Sequence, residues 1–315
     1  MATLYGIIHL MRTPLIVITG PTAVGKTEIS ILVAKEISGE IISFDAFQVY
    51  RFMNIGTNKI KKEEMRGIPH HMIDVVNPNE EFSSGRFKEM AEKIIDSIYK
   101  GGKIPVLVGG TGLYLRTLLS FEPPGSKKEV RKKIEEEVEK LGLNTLYEKL
   151  KRVDPVFAGK VSPKDRKRII RGLEVYEIYK KPISSFFGEE ERYDALKFIL
   201  LMDRKKLYKR IEDRVDRMFD MGFVDEVKRI KEYWGFSKTS KKAIGYEEIL
   251  LYLSGEISLE ECKRRIKKRT KEYARRQIIW LRKEKGAIII DVTDKNPYEL
   301  AEEILRKVKE KWKNL

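Results

Sequence analysis

The chain contains a single cysteine, Cys262, among 315 residues. That count excludes a disulfide within the chain and a cysteine-based zinc site. Histidine is almost as scarce, with three residues, two of them adjacent at His70 and His71, so a centre built from imidazoles alone is not expected. No apolar run approaches the roughly 20 residues that span a bilayer. Residues Met1 to Leu10 are mildly apolar, yet they lack the basic n-region and small-residue cleavage site of a secretory leader. A cytoplasmic protein is therefore expected, with Met11 as an alternative start. Glutamine is confined to Gln48 and Gln277 while Lys and Glu are abundant, a usage found in thermophiles. Internal repeats and low-complexity segments are absent. Acidic charge is also short: 48 Asp and Glu face 64 Lys and Arg, giving +16 and a pI near 9.5. Such an imbalance points to a polyanionic partner, nucleic acid foremost.

The sequence does hold a complete phosphate-loop pattern, G-x-x-x-x-G-K-[ST], at Gly20, Pro21, Thr22, Ala23, Val24, Gly25, Lys26 and Thr27. The apolar run Leu15–Ile18 before it reads as a buried strand, and Glu28 to Ser38 reads as a helix. This is the strand–loop–helix context the motif requires. Backbone N–H groups of such a loop curl around an anion, the helix N-terminus adds positive potential, Lys26 adds a point charge, and Thr27 offers a hydroxyl for Mg²⁺.

Further strands are expected at Glu40–Phe44, Ile104–Val108, Leu196–Met202 and Ala287–Val292, separated by helical patterns. The alternation predicts an α/β fold, a phosphate-loop NTPase-like (nucleotide-kinase-like) parallel sheet with helices on both faces. The stretch 122–181, opening on Pro123-Pro124-Gly125, breaks the alternation. Val130, Ile134, Val138 and Leu141 at helical spacing make it an inserted helical subdomain, with 1–121 and 182–315 as the core. A last amphipathic helix is expected from Pro297 to Lys313. Ligands of such sheets bind at the carboxyl ends of strands, which directs attention to Thr22, Asp45, Thr111 and Arg204.

Asp45 suits a metal ligand, a general base or a helix N-cap, and its position alone leaves all three open. Gln48 can offer an amide to a base edge. Gly109-Gly110-Thr111-Gly112 implies close backbone approach to a ligand, or an ordinary tight turn. Asp165 to Arg171 gathers cations at the start of a helix with a buried face. Arg210 and Arg214 are placed to clamp phosphate, or else to pair with Glu212, Asp213 or Asp216. From Lys263 to Lys285 there are 12 Lys or Arg and 2 Glu in 23 residues, on a helix expected from Ser258 to Lys283. With Cys262, Ile266, Tyr273, Gln277 and Trp280 on one face, the remainder forms an outward basic stripe suited to a phosphate backbone.

Taken together and in order, these residues resemble the tRNA dimethylallyltransferase (tRNA isopentenyltransferase) family of bacterial type. The resemblance runs through Gly20–Thr27, Asp45–Tyr50, Asn54–Thr57, Gly67–Asp74, Gly109–Tyr114, Asp154-Pro155, Arg168–Tyr176, Ala243–Tyr246, Gly255–Ser258 and Arg276–Arg282. It implies transfer of a dimethylallyl group from dimethylallyl diphosphate to the exocyclic amine of the adenosine 3′-adjacent to the anticodon. The phosphate loop would hold the diphosphate with Mg²⁺ on Thr27. Asp45 would be the general base, Thr111 a channel residue and Arg214 the diphosphate clamp. Contact with the tRNA anticodon stem-loop is implied for Asp45, Ala46, Phe47, Gln48, Arg131, Lys167, Arg168, Arg171, Lys242, Gly245, Tyr246, Arg275 and Arg276. A monomer with no membrane partner is expected. Departures from the family pattern are Ala46 for Ser, Phe52, Asn54 and Asn58 for Gly, Asp and Ala, and Ser162 and Lys164 for His and Asn. A small-molecule or nucleoside kinase would share the loop and core without needing the basic helix. A non-catalytic RNA-binding switch would leave Asp45 and Thr111 idle.

Overall fold

A computed structural model describes residues 12–120, 124–187 and 191–313. Residues 1–10 and the segment 121–123, where the insertion was expected to open, lie outside the described residues. The chain begins with β1 (Pro14–Thr19), α1 (Lys26–Glu36), β2 (Glu40–Phe44), β3 (His70–His71), α2 (Ser84–Lys100), β4 (Pro105–Gly109) and α3 (Gly112–Leu119). Helices α4 (Lys128–Leu141), α5 (Leu143–Val153), α6 (Pro155–Ala158) and α7 (Arg166–Tyr179) follow. After β5 (Asp194–Leu201) come α8 (Arg204–Asp220), α9 (Phe223–Tyr233), α10 (Tyr246–Leu253), α11 (Leu259–Leu281), β6 (Ile288–Asp291) and α12 (Pro297–Lys311).

The six strands lie in the order β3-β2-β4-β1-β5-β6, all pairings parallel. Leu15, Ile16, Val17 and Ile18 of β1 have no exposed surface, as a strand covered by helices on both faces requires. The four longer strands that follow β1 sit within a residue or two of their expected places. The two-residue β3 was not anticipated; it pairs Ile41 with His70 and Ile42 with His71. Strand order turns back at β1, which has β4 on one side and β5 on the other. The phosphate loop leaves the carboxyl end of β1 at that reversal.

Contacts divide the described residues into two compact units, one formed by residues up to 115 with those from 193, the other by 116–192. The second is helical and has its own core, including Ile134, Val138, Leu146, Leu150, Phe157, Ile169, Ile170 and Leu173. Asp165 caps α7 by accepting from the Arg168 amide, and Ile169, Ile170, Leu173 and Val175 form the buried face expected of it. In the first unit, Ser258 caps α11 and Asp203 caps α8 through their side-chain oxygens, satisfying amides that have no intrahelical partner.

Candidate active site

Two glycines fix the phosphate loop. Gly25 adopts φ +105°, in the left-handed region, where a β-carbon is strained. A Cβ on Gly20 would stand 2.5 Å from the Leu200 carbonyl oxygen. Loop and sheet edge therefore touch backbone to backbone. Lys26, at the start of α1, folds its ammonium back onto the loop and donates to Gly20 O and Pro21 O, both at 2.9 Å.

The loop walls a cavity of about 130 Å³ whose lining includes Thr22, Lys26, Thr27, Asp45, Gln48, Arg214, Tyr273 and Gln277. Its electrostatics are unbalanced toward positive charge. Burial, and then the neighbouring Arg214, pull the Lys26 amine down to about 7, with Asp45 opposing them. Arg214 is itself lowered to about 10 by burial and by Arg217 and Arg210. The alternative of carboxylate partners for Arg214 fails, because Asp213 pairs with Lys209, Glu212 with Lys271 and Asp216 with Lys267. Instead the Arg214 guanidinium donates to Thr22 Oγ1 at 3.2 Å. Two cations crowded into one cavity, with no carboxylate paired to Arg214 among the described residues, are arranged for an anion.

Asp45 follows β2 and lines the same cavity. The residues after it form a turn rather than a helix, and Oδ1 accepts from the amides of Phe47 (2.8 Å) and Gln48 (3.3 Å). Capping thus leaves Oδ2, at the cavity, without a hydrogen-bond partner among the described residues. Thr111 Oγ1 accepts from the Ala46 amide at 3.1 Å. That contact belongs to the backbone, so Ala46 in place of the family's serine leaves it intact. Tyr273 extends from α11 to Thr111; burial, and then the Asp45 charge, push its phenol above the ordinary range.

The glycines around Thr111 make close approaches, but to protein. A Cβ on Gly109 would meet Phe44 at 2.8 Å, on Gly110 the Gln277 amide at 2.3 Å, and on Gly112 the Trp280 ring at 2.6 Å. These neighbours account for the absence of side chains, while Gly109 and Gly110 also line the cavity. Gln277 is the functional side chain the motif reading passed over. Its Oε1 accepts from the Thr22 amide at 2.9 Å and its Nε2 donates to Gly110 O at 2.9 Å, joining phosphate loop to Thr111 loop. The available signal was an amide in the buried stripe of a basic helix. Lys59 is a second such residue, donating to Tyr50 O and Asp74 Oδ1 at 2.6 Å. Gln48 is held by Ser43 Oγ (3.2 Å) and Thr57 O (3.4 Å), so reading a base edge requires exchange of those bonds.

Several expected RNA contacts are placed otherwise. Gly245 is buried and Tyr246 has no exposed surface; its hydroxyl donates to Glu226 at 2.7 Å, so its role is structural. Arg171 is committed to Pro124 O, Gly125 O and Glu174. Arg131 pairs with Glu135 and Glu174, while Arg168 reaches Lys160 O. Phe47 is half-buried, and Lys167 and Lys242 are exposed. The basic stripe is only partly outward. Lys263, Arg264, Arg265, Lys267, Arg269 and Lys271 are paired with acids on α11 or on α8 and α10. Lys268, Arg275, Arg276, Arg282, Lys283 and Lys285 are exposed without an ion pair among the described residues, which shifts the open charge toward the carboxyl end of the helix and the residues just beyond it.

A Mg²⁺ ion bound with a diphosphate takes one or two protein oxygens and keeps phosphate and water for the rest. Thr27, exposed at the cavity, is a residue that could offer such an oxygen. Among the described residues no cluster of three or more His, Cys, Asp or Glu could hold a metal without a ligand's help. Nor is any helix long and apolar enough to cross a membrane.

These features have counterparts in known proteins. The model of the IPP transferase family matches residues 48–284. The tRNA dimethylallyltransferase of Symbiobacterium thermophilum is 44% identical over 309 residues, 96% of this chain and 97% of its own. That of Caldanaerobacter subterraneus is 46% identical over 283 residues, 86% of this chain and 90% of its own. Among solved structures, a tRNA isopentenylpyrophosphate transferase of Staphylococcus epidermidis superposes with TM-score 0.73 at 39% identity, covering 95% of this chain and 100% of that one. A eukaryotic dimethylallyltransferase acting on tRNA superposes with TM-score 0.76 at 35% identity, covering 90% of this chain and 74% of that one. With a phosphate loop, a strand-end aspartate and an arginine around one cavity, and a family match over most of its length, this chain belongs to the IPP transferase family.

Proposed function

We propose that this protein transfers the dimethylallyl group of dimethylallyl diphosphate to the exocyclic amine of the adenosine 3′-adjacent to the anticodon of tRNA, releasing diphosphate, as a cytoplasmic monomer. The observation that carries the reading is the single cavity that Lys26, Arg214 and Asp45 line together. The cations suit a diphosphate, and the carboxylate suits a released proton.

The adenosine amine is a weak nucleophile because its lone pair is delocalised into the ring, so geometry and leaving-group stabilisation must supply the acceleration. The amine lone pair forms the new C–N bond as the allylic C–O bond breaks, and the electron pair of that bond leaves with the diphosphate. Negative charge then grows where Lys26, Arg214 and the loop amides converge. Mg²⁺ held by Thr27 and the diphosphate would neutralise part of the same charge. Alkylation makes the amine far more acidic, and Asp45 Oδ2 takes its proton. Thr111 holds the Asp45 turn through Ala46 N, so it positions the base. The adenosine must leave the anticodon-loop stack to reach the cavity. We assign the tRNA footprint to the open cations of α11, with Arg275 and Arg276 nearest the cavity wall in sequence, to Lys242, and to Arg131, Lys167, Arg168 and Arg171 of the helical unit. The last four depend on exchange of the bonds described above wherever those exist.

The test is incubation with unmodified tRNA, Mg²⁺ and labelled dimethylallyl diphosphate, followed by nucleoside analysis. Label in a prenylated adenosine is expected. Consumption of ATP without label in tRNA would instead assign a kinase.

A further inference from the structure

Phe52 stands in the left-handed region at φ +67°, a conformation that strains a non-glycine residue, and one where the family pattern has glycine. Its ring does not retreat into the interior. It stacks on Trp234 with ring centroids 4.0 Å apart and planes at 21°, and Tyr233 packs against Trp234 at 5.7 Å. All three remain open: Phe52 is 39% exposed, Trp234 36% and Tyr233 67%. Large aromatics this exposed and this clustered mark a contact surface.

Cations adjoin them. Trp234 ends α9, and the chain continues through Lys238, Lys241 and Lys242, all exposed and without ion pairs among the described residues. The two sides are tied by one short segment. Arg51 donates its amide to Val76 O at 2.8 Å, and Ser237 donates its amide to Pro78 O at 2.8 Å. From Phe52 the chain runs directly into residues 54–58, and Glu226 on α9 fixes their start by accepting from the amides of Asn54 (2.9 Å) and Ile55 (2.7 Å). Thr57 and Asn58 of that loop line the cavity. The aromatic ledge and the cavity are therefore two ends of one braced loop.

We propose that Phe52 and Trp234 form a stacking ledge for an unpaired base of the RNA substrate, a nucleotide other than the one alkylated, with the lysines of 238–242 on its phosphates. The inference rests on the tRNA reading above. Aromatic faces beside open cations are how unpaired nucleic acid is held without sequence readout. The occupant is RNA rather than a protein segment because cations outnumber acids beside the ledge, with Lys231, Lys238, Lys241 and Lys242 exposed against Glu232 and Glu81.

The experiment compares wild type, Phe52→Gly, Phe52→Tyr and Trp234→Ala for tRNA affinity, transfer activity and tryptophan fluorescence. Glycine removes the ring and suits the φ, so Phe52→Gly keeps its fold. Its tRNA Kd should rise about 10-fold, within the range for one base–aromatic stack, with kcat at saturating tRNA and KM for dimethylallyl diphosphate unchanged. Phe52→Tyr should restore affinity, and tRNA should quench Trp234 fluorescence, seen as a signal lost in Trp234→Ala. Wild-type transfer combined with a Phe52→Gly Kd within twofold of wild type overturns the ledge alone. Wild type that transfers nothing to tRNA overturns the function reading instead.

Discussion

Replacing Lys26 by Met should stabilise the free protein at neutral and acid pH, although it removes a residue at the centre of the site. Burial and Arg214 pull the amine from 10.5 down to about 7. Keeping that ammonium charged in the fold costs about 5 kcal/mol well below pH 7, at about 1.4 kcal/mol for each tenfold change in its proton affinity. Met loses the hydrogen bonds to Gly20 O and Pro21 O, at about 1–1.5 kcal/mol each. The net gain at pH 6.5 is therefore about 2 kcal/mol, a rise in Tm of about 5 °C for a domain of this size. The sign then reverses with pH. Between about 7 and 10.5 the unfolded chain binds a proton at this lysine that the folded chain does not, so wild-type stability rises through that window. By pH 9.5 the charge cost has fallen to about 1.5 kcal/mol, less than the lost hydrogen bonds, and the variant becomes the weaker protein. Thermal unfolding of both proteins at pH 6.5 and 9.5, followed by circular dichroism, measures the crossover. Added diphosphate should raise the Tm of wild type and not of the variant. A variant less stable than wild type at both pH values, by the same margin, refutes the reasoning.

Asp45→Asn keeps an oxygen for the Phe47 amide but removes the carboxylate, so kcat should fall by about 10²–10⁴-fold with tRNA affinity unchanged; parallel loss of both would assign Asp45 to binding. Charge reversal at Arg275 or Arg276 should weaken tRNA binding and lower the slope of log K against log salt by about 1 each, whereas Lys271→Glu, which breaks an ion pair with Glu212, should leave the slope unchanged and lower Tm. Gln277→Leu strands the Thr22 amide and the Gly110 carbonyl, costing about 1–3 kcal/mol and raising KM for dimethylallyl diphosphate; an unaltered KM would confine Gln277 to packing.

Strands β1, β2, β4 and β5 were legible because each is a run of Ile, Val and Leu bounded by turns, the pattern of a strand buried on both faces. β3 was not, since two polar residues carry no period. The phosphate loop was legible because its chemistry is local. Wherever the meaning of a residue lay in a distant partner, the sequence misled. A glycine cluster states that no Cβ fits at Gly109, Gly110 and Gly112 but not what fills the space, and here Phe44, Gln277 and Trp280 fill it. A local count of charge from Lys263 to Lys285 could not include Glu212, Asp216, Glu247 and Glu248, which the fold carries to that helix. Gly245 and Tyr246, expected to contact tRNA, instead pack against Phe223 and bond to Glu226.

Helix α11 explains why those errors and the site have one origin. At 100° per residue, Tyr273 and Gln277 share a face four positions apart, while Arg275 and Arg276 project elsewhere. The first pair reaches Thr111, Thr22 and Gly110; the second pair is exposed. One rigid helix thus carries open cations on its outside and a wall of the reaction cavity on its inside. Its amino half is locked to α8 and α10 by ion pairs, which fixes its axis, and Arg214 on α8 enters the same cavity. Gln277 ties this helix directly to the Thr22 amide of the phosphate loop. The charges that made the helix conspicuous in the sequence divide, in the fold, into those that hold it in place and those left open for a partner.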